Sequence, residues 1–312
     1  MSTAKPLVTA VIVSYRPDPA SLAALLTALD GQVAHIFLVD NSDASNLDAE
    51  SAVAAATPAH SEVSLCRLGH NLGLGAALNR GIADAIAAGS SHVLLSDQDS
   101  LPAPDMVSQL LGSLEELEAA GARVGAVAPV PIDCFTGEAW PFKVQRPEKV
   151  FYSDARPSAA QPFVEALTLI TSGSLIPTPV LEAVGPMRED FFIDHIDIEW
   201  CHRARASGFR LFGSGRACMQ QRMGERSLRI WCLGWHRESA YSPERVYYRV
   251  RNYLALCRLD YIDWRWKLRS ALFTLKTVYA NLFFNPEVRF SACLKQTLRG
   301  IWHGLRGRFG AA

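Results

Sequence analysis

The sequence predicts an α/β fold: a doubly wound, Rossmann-like sheet followed by a helical segment. Three observations carry this. Short apolar runs alternate with helix-length segments through the first half of the chain, which implies right-handed crossovers between parallel strands. The runs are continuously apolar and do not alternate with polar residues, as befits strands buried on both faces. The chain has 312 residues, 49% of them apolar, enough for one large or two modest domains around a sizeable core.

The first strand is Val8–Ser14. Residues 19–29 read as a helix, 36–40 as a strand, 47–56 as a weaker helix and 63–66 as a strand. A helix at 74–88, a strand at 93–96, a helix at 104–120 and a further strand at 124–128 continue the alternation. In such sheets ligands sit outside the carboxyl ends of the strands. Asp40 ends the second strand, and Asp97 and Asp99, in LLSDQDS, end the fourth, so all three should face one crevice. Two carboxylates one residue apart repel each other. A hard divalent cation removes that repulsion and can itself hold a phosphate. The plain alternative is a solvated turn before Pro102.

Several classes are excluded or made remote. Formal net charge is zero, which argues against a nucleic-acid binder. Seven cysteines (Cys66, Cys134, Cys201, Cys218, Cys232, Cys257 and Cys293) show no CxxC pair or metal spacing and read as free thiols of a reducing cytoplasm. The opening residues lack the apolar core of a signal peptide, and no stretch of about 20 residues is free of charge, so a spanning helix is not expected. There is no GxGxxG after the first strand and no GxxxxGK(S/T), which makes a dinucleotide site or P-loop improbable. SYRPDP, with Ser14 and Tyr15, follows the first strand instead. VDNS follows the second, where Asp40 can accept from a ribose or a base N–H and Asn41 lies beside it. In NLGLGAALNRGI, Asn71, Gly73, Gly75 and Asn79 surround a helix start. Glycines there let the backbone approach a ligand, or simply make a loop-to-helix turn.

In order, VTAVIVSYRPD, VDNS, NLGLGAALNRGI and LLSDQDS resemble the nucleotide-sugar domain of family 2 glycosyltransferases, with the GT-A fold. Within that family the chain looks most similar to the bacterial rhamnosyltransferases of surface-polysaccharide assembly. The resemblance covers residues 7–260. It implies a mixed central sheet, a nucleotide-binding part at 7–130, an acceptor part at 131–260 and a tail at 261–312. It also implies that Ser14, Tyr15, Asp40, Asn41, Asn71, Gly73, Gly75, Asn79 and Asp97 bind the donor, and that Asp97 and Asp99 hold Mg2+ or Mn2+.

ITSGSLIP is similar to the family's loop of small residues, and FFIDHIDIEWCHRARASGF resembles its FIDxxDxEWCxRA signature. Here Asp194 should cap a helix whose first turn carries Asp197 and Glu199, with Trp200, Cys201 and Ala204 on its apolar face. The resemblance makes Asp197 the general base, its pKa lowered by the helix dipole and a nearby cation. Asp194, Glu199 and Arg203 would position the acceptor. The bland reading is a capping arrangement without catalytic duty. ACMQQRMGE departs from the pattern, because the family carries a histidine, commonly a metal ligand, where this chain has Gln221. Either Asp99 and water then hold the cation, or His236 in LGWHRES moves in. SPERVYYRVRN resembles a YYxxRN segment and sets Arg249, Arg251 and Asn252 at a helix start, with Arg251 on the donor phosphates. The alternative is packing tyrosines and a solvated row of arginines.

Between Arg265 and Arg308 nine lysines and arginines meet a single acid, Glu287. Bulky apolar residues lie between them. Such a basic amphipathic tail suits an anionic membrane interface; the alternatives are packing on the catalytic domain or self-association into a homo-oligomer. The expectation is an inverting transferase moving L-rhamnose from dTDP-rhamnose to a lipid-linked or polysaccharide acceptor in O-antigen or exopolysaccharide synthesis. It would be cytoplasmic and peripheral at the inner face of the plasma membrane, with a nucleotide-sugar donor and no nucleic acid as partner. No spacing separates rhamnose from galactofuranose or N-acetylglucosamine, and a nucleotidyltransferase or a non-catalytic binding scaffold stays open.

Overall fold

In the computed structural model, described for residues 6–221, 227–231 and 234–311, the predicted alternation is present. β1 (Val8–Ser14), α1 (Pro19–Leu29), β2 (His35–Asp40), α2 (Asp48–Ala56), β3 (Glu62–Arg67), α3 (Leu74–Ala87) and β4 (His92–Asp97) follow in the expected order. β5 (Leu101–Pro102), α4 (Met106–Ala119) and β6 (Val124–Asp133) come next, β6 running well past its expected end. β7 (Phe142–Val144), β8 (Ser153–Ala155), β9 (Phe163–Ala166) and β10 (Leu175–Pro177) are short. They lead into α5 (Thr178–Val184), α6 (Ile196–Ala206) and the long β11 (Arg210–Gln221). β12 (Ser227–Trp231) and β13 (Trp235–Ser239) form a hairpin, and α7 (Pro243–Leu256), α8 (Trp264–Phe283) and α9 (Phe290–Arg306) close the chain.

Among the described residues the main sheet runs β3–β2–β1–β4–β10–β6–β11–β5, with β9 also on β11. β1 to β4 are parallel, whereas β10 is antiparallel to both β4 and β6, which makes the sheet mixed. The surroundings of β1 explain the unbroken apolar run Ala10–Val13. Val11 and Val13 pack with Leu78 and Ile82 of α3, while Ala10 and Ile12 face Leu22 and Leu26 of α1. With a helix layer on each face, neither side of the strand can be polar. α3 lies so close that a Cβ on Gly81 would come 2.4 Å from Val11 Cγ1. Register then sets the site: Ser14 pairs with Asp40, and Val13 with Asp97. Both carboxylates therefore flank the end of β1.

The tail has two different faces. α9 lies on α7 through a stripe of Cys293, Thr297, Gly300 and Gly304. A Cβ on Gly300 would come 2.8 Å from the Tyr247 carbonyl, and one on Gly304 2.9 Å from Leu254 Cβ. The Tyr247 hydroxyl meets His303 Nδ1 at 2.8 Å. Away from α7, Leu298, Trp302 and Leu305 of α9 are exposed, as are Leu268, Leu272 and Leu275 of α8. Among the described residues no helix is long and apolar enough to cross a membrane.

Gly300→Leu should force α9 off α7. Overpacking of this sort costs about 1–3 kcal/mol, so the melting temperature should fall by several degrees. An unchanged melt would show that α9 is not seated there.

Candidate functional site

The nucleotide side is built from strand ends. Asp40 is 1% exposed. Its Oδ1 accepts from Ser14 Oγ (3.1 Å), Ser42 N (3.2 Å) and Ser42 Oγ (2.7 Å). Its Oδ2 is buried without a hydrogen-bond donor, with Arg67 Nε at 4.0 Å. A buried carboxylate oxygen lacking a donor is a ready acceptor for a ligand N–H or O–H. Tyr15 is fixed by a residue that sequence reasoning passed over. Gln98, between the two aspartates, accepts from Tyr15 N (2.7 Å) and donates to Tyr15 O (3.3 Å). Its only signal was being an amide between two acids. The small-residue loop braces the same turn, Ser172 Oγ accepting from Asp97 N at 2.9 Å.

The glycines and asparagines of NLGLGAALNRGI do something other than expected. A Cβ on Gly73 would come 2.7–2.9 Å from Phe192, and one on Gly75 2.5 Å from the Arg188 carbonyl. The close approach they permit is to the chain's own 188–192 segment. Asn79 exchanges hydrogen bonds with that segment, donating to Met187 O and accepting from Met187 N. Asn41 donates to Asn71 and accepts from Leu72 N, so these two side chains hold the loop.

The acidic side gathers around β4, α6 and β11. Asp97 Oδ2 accepts from Gln221 Nε2 at 3.1 Å. Burial pushes the Asp97 carboxyl up to about 7, with Asp99 and Asp197 adding repulsion and Arg245 and Gln221 opposing. Asp197 is raised to about 6, by burial first and then by Asp194. This corrects the expectation of a lowered value, because desolvation outweighs the helix dipole. Asp97, the exposed Asp99 and the buried, unpartnered Gln221 Oε1 are all hard oxygens and fit a hard divalent cation. His236 does not join them as a third ligand. It lies on β13 opposite Ile230, and among the described residues no three His, Cys, Asp or Glu side chains are arranged to hold a metal.

The turn before α6 is corrected too. Asp194 does not cap the helix; the N-cap is His195, without a side-chain bond. Asp194 instead pairs with Arg245 (3.1 Å) and Arg249 (3.0 Å), which hold its pKa low against the opposing effect of burial. Phe192, Asp194 and His195 all have positive φ, 64°, 63° and 66°. Arg251 and Asn252 lie well inside α7 and not at its start. Arg251 is 0% exposed and donates to the carbonyls of Asp190, Phe191 and Gly310. Asn252 Nδ2 lies 2.8–3.0 Å from the carbonyls of Phe191, Ile193 and Asp194. Arg251 is thus out of reach of donor phosphates, whereas Arg245, which was no candidate, faces both Asp97 and Asp194. Glu199 and Arg203 are committed to each other at 2.9 Å, and Arg203 also donates to Val184 O and Pro186 O. That ties α6 to the end of α5 and to the residues just after it.

Two measurements check this geometry. Asn252→Leu leaves buried carbonyls without donors and should cost about 1–3 kcal/mol in urea unfolding; no loss would mean the turn is held otherwise. For Asp97, the folded pKa near 7 lies above the usual carboxylate value. Its stabilising contribution is therefore present below about pH 4 and lost as pH rises through about 7. In metal-free buffer Asp97→Asn should raise the melting temperature at pH 8 and leave it nearly unchanged at pH 4. An equal shift at both would contradict the raised value.

Residues 9–149 match the sequence profile of glycosyl transferase family 2. Over 305 residues, 96% of this chain and 96% of the other, the sequence is 29% identical to the dTDP-rhamnosyl transferase RfbF of Shigella flexneri. Solved structures share the fold. The mannosyltransferase PcManGT from Pyrobaculum calidifontis, in complex with GDP-Man and Mn2+, has a TM-score of 0.56 at 16% identity, covering 98% of this chain and 89% of that one. GalNAc-T7 with UDP, GalNAc and Mn2+ has a TM-score of 0.54 at 12% identity. That match covers 87% of this chain and 55% of GalNAc-T7, so the chain spans about half of that protein's length. Residues 9–149 thus carry the features of a family 2 glycosyl transferase domain, and the chain along nearly its whole length is similar to a bacterial rhamnosyl transferase.

Proposed function

We propose that the chain transfers L-rhamnose from dTDP-β-L-rhamnose to a lipid-linked or polysaccharide acceptor, with inversion at the anomeric carbon. The observation that carries the mechanism is the placement of Asp97, at the end of β4, and Asp197, in the first turn of α6, on the same acidic side of the crevice. The two are near enough for Asp197 to raise the pKa of Asp97. The choice of donor rests on the relative whose name gives dTDP-rhamnosyl transfer.

In this reading Asp40 Oδ2 accepts the N–H of the nucleotide base, and the exposed Tyr15 ring offers a face to it. Asp97 and Asp99 would hold Mg2+ or Mn2+, which would supply positive charge against the leaving diphosphate. Arg245 adds a guanidinium on the same side. Asp197 takes the proton of the acceptor hydroxyl. That oxygen bonds to the anomeric carbon as the bond to the diphosphate breaks, and the nucleoside diphosphate leaves with the electron pair. With a pKa of about 6, Asp197 is mostly ionised at neutral pH, yet basic enough to accept a proton. The exposed apolar side of α8 and α9, interspersed with lysine and arginine, rests on the inner face of the plasma membrane, where a lipid-linked acceptor is reached.

Asp197→Asn tests the base. Calorimetric donor affinity should stay close to the parent value, while transfer falls by about 10²–10⁴-fold, in kcat and kcat/KM alike. Parent-like transfer would place the base elsewhere, with Asp194 disfavoured by its two arginine partners. In the parent, kcat should rise with pH through a limb near the Asp197 value. A panel of nucleotide sugars with Mg2+ or Mn2+ tests the donor, and turnover of UDP-N-acetylglucosamine in preference to dTDP-rhamnose would refute it.

A further inference from the structure

β12 and β13 carry a surface to which the mechanism above gives no role. In an antiparallel pair, residues directly opposite share a face. The register sets Arg229 opposite Arg237 and Trp231 opposite Trp235 on one face, with Ile230 opposite His236 and Leu228 opposite Glu238 on the other. The second face packs through Leu228, Ile230 and Glu238, with His236 exposed at its end. Leu228 and Ile230 are buried against Ala280 of α8, and Glu238 pairs with Lys276 at 2.6 Å. The first face is open: Trp231 is 54% exposed and Trp235 61%. Arg229 stacks over Trp235 at 4.3 Å, and among the described residues no carboxylate pairs with Arg229 or Arg237. Like charges directly opposite on a hairpin are destabilising. Two tryptophans facing water add a second cost. One occupant relieves both.

We propose that Arg229, Trp231, Trp235 and Arg237 form a seat for the anionic phosphate headgroups of a lipid bilayer. The inference rests on the membrane reading given above and names the element that recognises the surface. Tryptophan is at home at headgroup depth, where its ring is half in hydrocarbon and its N–H is wet. Arginine pairs with lipid phosphate. The apolar side continues beyond the hairpin. The Tyr279 hydroxyl donates to Trp231 O at 3.2 Å, and Tyr279 leads to the exposed Phe283 and Phe290, whose ring centroids are 5.3 Å and 5.6 Å along the chain of contacts. A soluble diphosphate would satisfy the arginines and leave these aromatics in water. A second copy meeting the same face would set arginine against arginine. A bilayer satisfies both parts of the surface.

The test uses the full chain and vesicles of phosphatidylcholine, with and without phosphatidylglycerol, read by sedimentation. The Arg229→Gln, Arg237→Gln double variant should lose about 30-fold in partitioning onto the anionic vesicles, as removal of two surface arginines predicts, and little on the neutral ones. Trp231→Ser with Trp235→Ser should weaken binding to both. Parent-like melting of each variant ensures that the surface and not the fold has changed. If the arginine variant partitions as the parent does, the hairpin is not the seat, though the tail can still be the anchor. If the parent binds no vesicle, the membrane reading fails with it. Arginine-dependent binding of inorganic pyrophosphate in the absence of vesicles, or an arginine-dependent dimer in sedimentation equilibrium, would overturn the proposal in favour of a free diphosphate or a second copy.

Discussion

The acidic end of the crevice depends on how α7 grips the turn before α6. Three of the four positions from Phe192 to His195 sit in a backbone shape that ordinary side chains disfavour. Positions of this kind cost about 1–3 kcal/mol each. They persist because Arg251 and Asn252 supply donors to the carbonyls of residues 190–194, and Arg245 and Arg249 neutralise the Asp194 carboxylate. Charge-assisted bonds contribute about 1.5–3 kcal/mol each, which is the size needed to hold the turn. Its consequence is directional. With the turn fixed, α6 starts where Asp197 faces the end of β4 and Trp200, Cys201 and Ala204 face the core.

The carboxylates themselves are an unfavourable grouping that the fold maintains. Asp97 and Asp197 are both raised well above ordinary carboxylate values, each chiefly by burial. Asp194, equally withdrawn from water, is lowered instead. The difference is the partner: two guanidiniums pair with Asp194, whereas Asp97 accepts from an amide, Gln221, and Arg245 offsets only part of the cost of its burial. The protein thus neutralises the acid that holds the turn and leaves short of positive charge the acids that face the crevice. Oxygens left in that state fit a hard divalent cation.

Much of the fold was legible because strands covered on both faces carry unbroken apolar runs, as the middles of β1, β2 and β4 do, whereas β3, at the edge of the sheet, is only partly buried. The order of motifs along the strand ends was legible for the same reason, since strand ends in a parallel sheet share one edge. Roles were read less well. Asn79 and Gly75 look like ligand contacts in sequence, yet their partners are backbone atoms near residues 187–189, more than a hundred positions away. Arg251 looks like a phosphate contact until Gly310 and Asp190 are brought to it. Arg245 and Gln98 carry no local signature, because what distinguishes them is which loop they face. Sequence spacing reports the element a residue sits on; it does not report which distant backbone has unpaired groups to satisfy.

The tail makes the same point on a larger scale. Its composition suggests an appendage, but α9 is pressed onto α7 through Gly300 and Gly304, and Phe309 lies against Phe191 while the Gly310 carbonyl accepts from Arg251. Gly310 N in turn donates to Asp190 O at 2.8 Å. The residues after α9 therefore share donors and acceptors with the strained turn. α7 is the common element, holding the turn with one set of side chains and the tail with another. Because Arg251 spans both, a shift of α9 along α7 cannot leave the Asp190 and Phe191 carbonyls where they are. The faces of α8 and α9 that remain exposed are thus one helix removed from the turn that aims Asp197, and whatever covers them acts on a packing unit that includes the reactive end of the crevice.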